Sequence, residues 1–164
     1  MNWYLIIRFL HIISSMVFIG GIFARQAIRS QGKKSADINT LAAYFSAAGK
    51  IESLMVIPGN FGTILFGVIF AIMIHAPIFG FLQGADKNWL LLTNVLLIAG
   101  SLNVPLIFLP RGKIYERLLA DAIQKGEITS ELKSHLDDKV VKAAHQFEII
   151  MVVVIVILMV FKPF

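Results

Sequence analysis

The 164-residue chain contains no cysteine. That absence excludes a disulfide framework, a thiolate zinc site, a cysteine-ligated iron–sulfur cluster and a cysteine nucleophile. Charge is scarce as well. Asp, Glu, Lys and Arg make up 15 % of the residues, where soluble domains average about 25 %. This leaves too little polar surface to cover a water-soluble globule, and a disordered chain would need more charge and less hydrophobicity. There is no glycine-rich phosphate loop. The pairs Gly32-Lys33, Gly49-Lys50 and Gly112-Lys113 lack the upstream glycine and the following Ser or Thr that such a loop requires.

What the chain has in excess is apolar residues: 57 % of the total, with a mean hydropathy of +0.79. They fall in four runs, about Trp3–Ala24, Asn60–Gln83, Trp89–Leu109 and Ala143–Phe161. Each is long enough to cross the hydrocarbon layer, which takes about 20 helical residues. None alternates polar and apolar as a barrel strand does. The first run lacks a small-residue cleavage site and does not read as a signal peptide. The expected fold class is therefore all-α, an up-down bundle of four transmembrane helices forming one integral membrane domain over residues 1–164. Pro110 is expected to close the third helix. The short link at residues 84–88 is expected to make helices 2 and 3 antiparallel neighbours.

A net charge of +5 suggests nucleic acid until the charges are located. Twelve of the fifteen basic residues lie between runs 1 and 2 or between runs 3 and 4; Arg8, Lys87 and Lys162 make up the rest. That bias predicts cytoplasmic long loops and extracytoplasmic termini in a multi-pass protein of the cell membrane. The expected partner is the lipid bilayer, not nucleic acid, and a homo-oligomer stays open. Trp3, Tyr4 and Trp89 would then sit at the outer interface. In the first loop, Leu41, Tyr44, Phe45, Ala48, Ile51 and Leu54 recur at helical spacing, which predicts an amphipathic helix over about Ala36–Ile57, lying at the interface or leading into helix 2. Pro58-Gly59 predicts a kink or break there. The second loop reads as helices over Lys113–Gln124 and Glu131–Lys142, divided at Gly126, the second able to run straight into helix 4.

An ionisable residue in a bilayer is a functional-site hypothesis by default. Tyr4, Arg8, His11 and Ser15 are spaced four, three and four apart and form one stripe on helix 1. Two readings are open. In one, Arg8 snorkels to the headgroups and His11 bonds a neighbouring backbone. In the other, His11 and His75 share a level, each about 12 Å from the outer end of its helix at 1.5 Å per residue. Such a pair suits axial ligation of a b-type haem, with Arg8 placed for a propionate. His145, Gln146 and Glu148 form a second polar spot at the inner start of helix 4. A structural ion pair of Glu148 with Arg25 or Arg29 is the first reading; a proton relay, or His145 as a further haem ligand, is the second. His135 reads as a solvated loop histidine. Asn94, Ser101 and Asn103 are expected to bond between helices, and Gly20, Gly21, Gly62, Gly67 and Gly100 to allow close approach.

The opening segment, with Leu10-His11 followed by Gly20-Gly21, resembles the first helix of a group of small four-helix membrane proteins. The group includes CopD, HemJ and a bacterial integral-membrane family of unknown function. Pro110-Arg111 and the closing Met159-Val160-Phe161-Lys162-Pro163 are most similar to the unknown-function family. The resemblance to HemJ implies haem b on a helix 1 histidine, which is His11 here. It does not imply porphyrin oxidation, because the third run lacks HemJ's lysine and Arg25 alone survives of the motif after helix 1. Copper transport is not implied either, since the methionines form no Met-x-x-x-Met pair and cysteine is absent. Three functions are carried forward: a haem-binding redox or electron-transfer protein first, then a small transporter or ion-handling protein, then a structural or assembly subunit.

Overall fold

The computed structural model describes residues 2–163, and in that range it is helical with no strand. Helix α1 spans Trp3–Gly32, α2 Ile38–Ile51, α3 Ile57–Met73, α4 Trp89–Asn103, α5 Leu109–Lys125, α6 Ser130–Leu136 and α7 Lys139–Phe161. Four rods long and apolar enough to cross a membrane result, built on α1, α2–α3, α4–α5 and α7. The outward faces carry Phe9, Phe61, Ile98 and Ile150, all exposed, as lipid-facing positions are. The termini and the 74–88 link lie at one end of the bundle, here the terminal end. The two long loops lie at the other, the loop end.

The four-span architecture agrees with the four apolar runs, but the prolines act differently from expectation. Pro58 does not break the chain. A π-turn at Glu52–Val56 precedes it, in which the Ile57 N–H donates to Glu52 O, five residues back. Pro110 does not close the third helix. A second π-turn at Val104–Phe108 carries it onward, with the Leu109 N–H donating to Val104 O. In both places the proline follows directly on the residue that closes the π-turn. A pyrrolidine ring has no N–H to give and clashes with the carbonyl four residues back. The wider turn absorbs that conflict, so α2–α3 and α4–α5 remain continuous rods.

The second run does end early. Helix α3 stops at Met73, not near Gln83. His75 adopts a left-handed φ of 52°, and Pro77 bars its predecessor from helical geometry. The connection to α4 is therefore residues 74–88, with one 3-10 turn at Gly80–Gln83. It is long enough to separate the helices it joins. Helix α3 packs along α1, α1 against α7, and α7 against α4, while α3 and α4 barely touch. The expected neighbours are thus set apart, leaving a gap on one side of the bundle.

Tight contacts occur where side chains vanish. A Cβ on Gly59 would stand 2.6 Å from Phe18 N, and one on Gly67 2.9 Å from His11 Cε1. Gly21 and Gly62 likewise lie against Val56 and Ser14, and Gly100 against Met151; Gly20 faces no atom within 4 Å and serves no such contact. The loops have their own core of Ile38, Leu41, Phe45, Ala122 and Leu132. Helix α5 runs unbroken to Gly126, whose φ of 71° ends it. Helix α6 does not run into α7: Asp138 caps α7, accepting from the Val140 and Val141 N–H groups.

Candidate functional site

Two polar sites lie on the bundle axis, one toward each end. At the terminal end, α1, α3, α4 and α7 enclose a cleft of about 700 Å³. Tyr4, Arg8, His11 and Ser15 all line it, so the stripe does face the bundle interior. Thr63, Thr93, Asn94, Trp89 and Lys162 complete its polar lining, and no carboxylate is among the described lining residues. Lys162 Nζ stands 5.2 Å above the Trp89 ring, a favourable cation–π placement. Trp89 is accordingly buried, not free at the interface.

His11 is held in one orientation. Its Nδ1 is 3.0 Å from Thr63 O, the bond to a neighbouring backbone that the first of the two readings expected. A carbonyl only accepts, so Nδ1 carries the proton, and in the neutral ring Nε2 then holds the lone pair. Gly67 gives the ring its room. The Ser15 hydroxyl donates to His11 O at 2.8 Å. Arg8 has no hydrogen-bond or ion-pair partner among the described residues.

The expected pairing of His11 with His75 is not found. His75 is exposed in the link after α3 and does not line the cleft. It falls outside because α3 ended two residues before it. His145 is not at the cleft either. Asn94 donates to Ile78 O of the link at 3.1 Å, not to another helix. Ser101 is exposed, and Asn103 Nδ2 is buried with no partner among the described residues.

The second site is a buried charge network at the loop end. Arg25 is roughly 33 Å along α1 from Trp3 at 1.5 Å per residue. It is only 3 % exposed. Its Nη2 donates to Glu148 Oε2 at 2.5 Å, and its Nη1 pairs with Glu52. His145 Nδ1 donates to Glu148 Oε2 at 3.0 Å and Nε2 accepts from Arg29 Nη1 at 3.1 Å, which fixes a neutral imidazole. Two guanidiniums then balance two carboxylates. The Phe108 ring stacks on His145 at 4.6 Å, and Arg25 lies over the same ring. Both π-turns feed this site, the first through Glu52 and the second through Phe108.

The Glu148–Arg25 ion pair agrees with the sequence reading, and Arg29 joins through His145. Glu52 was missed. A signal existed: two arginines four apart at the end of a span ask for two buried carboxylates, and Glu52 lies just before the second run. His135 is not simply solvated. Its Nε2 donates to Arg111 O at 3.0 Å, and Arg111 Nε donates to Asp138 at 2.7 Å.

Between the two sites Phe18, Ile22, Val56, Met151 and Val152 form an apolar layer. No group of three or more His, Asp or Glu side chains placed for a metal occurs among the described residues. Neither the curated proteins nor the solved structures contain a match to this chain, so the likeness to CopD and HemJ gains no support from them. The family model described as predicted integral membrane protein (DUF2269) matches residues 5–163. With four membrane-crossing rods and a match over nearly its whole length, the chain belongs to the DUF2269 family of integral membrane proteins.

Proposed function

We propose that this integral membrane protein binds haem b in the terminal-end cleft, with His11 as its iron ligand, in a redox or electron-transfer role. The observation that carries the reading is the Nδ1–H bond of His11 to Thr63 O. Ligating histidines characteristically donate their other ring N–H to a carbonyl or carboxylate, which orients the ring and raises the basicity of Nε2. The donor set fits the group in charge as well. Arg8 and Lys162 line the same cleft with no carboxylate among its described lining residues, which suits the two propionates. When bound, the group supplies one-electron chemistry at its iron. The protein's own residues bind and orient it, and the apolar wall excludes water. In this reading the termini and the cleft face the outside, as the basic loops suggest.

The transporter reading asks for a polar path joining the two ends. The apolar layer around Phe18 and Ile22 favours the haem reading over it. The test is an absorption spectrum of protein purified after expression with ample haem supply. A Soret band that is lost in His11→Ala and kept in His75→Ala is the expected result. Haem-replete protein with no Soret absorbance would overturn the proposal.

A further inference from the structure

We infer that the cleft also takes an anionic phospholipid from the surrounding leaflet, its phosphate against Arg8 and Lys162 and one acyl chain lying between α3 and α4. This goes beyond the haem reading and does not rest on it; the two ligands would share one cleft and exclude each other.

The first observation is the gap. Helix α3 packs along α1 and α4 along α7, α1 meets α7 more sparsely, and the α2–α3 and α4–α5 rods touch through α2 and α5 at the loop end but hardly at all between α3 and α4. Both helices nevertheless line the cleft, through Ile64 and Val68 on one and Leu97 on the other. The cleft therefore opens sideways, into hydrocarbon. What enters by that route is dissolved in the membrane. The second observation is the charge. Arg8 and Lys162 stand at the terminal end of the cleft, and none of its lining residues is acidic. Arg8 is five residues into α1 and has no partner among the described residues. A cation near the end of a span is stabilised by an anion beside it. Below the cations the walls are mostly apolar, with His11, Ser15 and Thr63 as polar exceptions. One ligand meets both demands if it carries an acidic head and a hydrocarbon tail. A free phosphate would answer the cations and leave the apolar body unfilled. A second copy related by a two-fold axis would bring the same cations to face these.

The experiment uses the Trp3→Phe protein, which leaves Trp89 as its single tryptophan. Trp89 lines the cleft and is buried from bulk lipid. The full chain is reconstituted without haem into vesicles of phosphatidylcholine and phosphatidylglycerol. One lipid or the other is brominated high on the acyl chain, at equal mole fraction. Brominated phosphatidylglycerol should quench Trp89 several-fold more effectively than brominated phosphatidylcholine. Each of Arg8→Gln and Lys162→Gln should cut that preference by roughly half or more, as expected when two cations share an anionic lipid. Equal quenching by the two lipids in the Trp3→Phe protein, where neither cation has been altered, overturns the proposal. So does a preference that survives loss of both cations. Shielding from both lipids, together with a cross-linked dimer, would place a second copy in the gap instead. Relief of quenching by soluble glycerol phosphate would place a free anion there. Haem binding is read separately by its Soret band, so either proposal can fail alone.

Discussion

Arg25 Nη2 donates to Glu148 Oε2 at 2.5 Å across the interface of α1 and α7, and both side chains are more than nine-tenths buried. The pair ties the first span to the last at the loop end. Taking two such groups out of water is expensive, and their attraction offsets the cost only while both are present. Glu148→Ala strands the Arg25 charge with Glu52 as its remaining anion. Breaking a buried pair costs about 3–5 kcal/mol in soluble proteins. The variant should therefore lose its folded population in detergent well below the temperature at which the parent does, as read by thermal unfolding. Glu148→Gln should lose less, since its amide oxygen still accepts. Equal stability of parent and Glu148→Ala would show the network to be ornamental.

Gly59 lies against the backbone of Phe18 where α3 packs on α1. An added methyl would stand 2.6 Å from Phe18 N and 2.8 Å from its Cα, so the backbone of α1 must move. Overpacking of this kind typically costs about 1–3 kcal/mol. Gly59→Ala should destabilise by that order in a reversible unfolding assay. Gly20→Ala is the control: nothing lies within 4 Å of its added Cβ, and alanine suits a helix better than glycine. A neutral Gly59→Ala would mean that the two rods can slide apart freely.

Much of this architecture was legible in the amino-acid pattern. The four apolar runs marked the four spans, because about 20 apolar residues in a row have few other uses. The Tyr4–Arg8–His11–Ser15 stripe marked the cleft face, because helical spacing fixes which residues align. The prolines depart from expectation for a definite reason. Pro58 and Pro110 are helix breakers only if the turn before them is α-helical, and nothing in composition announces a π-turn. Misplacing the end of α3 carried further errors with it. It put His75 on a helix beside His11, and it made α3 and α4 neighbours. The arrangement that opens the cleft sideways depends on that one helix end at Met73, set by the His75–Pro77 segment. Glu52 was hidden for a related reason: the π-turn that contains it is what brings it into the Arg25 network.

Asp138 makes the loop end sensitive to acid. It caps α7 and accepts from Arg111 Nε at 2.7 Å. The Arg111 hydrogen bond, followed by those of Val140 and Val141, holds its carboxyl below the usual aspartate range. A carboxyl depressed in the folded state contributes stability that is complete above its unfolded pKa, about 3.9, and fades as pH falls through the folded value. The Val140 and Val141 amides should therefore be well protected in hydrogen exchange at pH 6, after allowance for intrinsic rates. They should lose protection in strong acid. Asp138→Asn removes the titrating group, so its protection should be lower at pH 6 and flatter towards acid. Matching acid profiles in the two proteins would remove Asp138 as the sensor.

Gly67 offers a test of the cleft that leaves His11 itself in place. A Cβ there would meet His11 Cε1 at 2.9 Å and Nδ1 at 3.1 Å. The imidazole can respond only by turning, because Gly67 and Thr63 lie one turn apart on the same face of α3. Turning it breaks the Nδ1–Thr63 bond, and with that bond goes the fixed tautomer that leaves Nε2 as a lone-pair nitrogen. Gly67→Ala should therefore fold, since the clash is with a side chain and not with backbone, yet lose most of its haem. Gly67→Ala with His11→Ala should be no worse in stability than His11→Ala alone, because the clash has gone. The measurement pairs the Soret absorbance per protein with the thermal midpoint for each variant. Full haem content in Gly67→Ala would show that the orientation imposed by Thr63 is not what makes His11 a ligand. A fall in stability that persists without the histidine would place the damage in the α1–α3 packing instead.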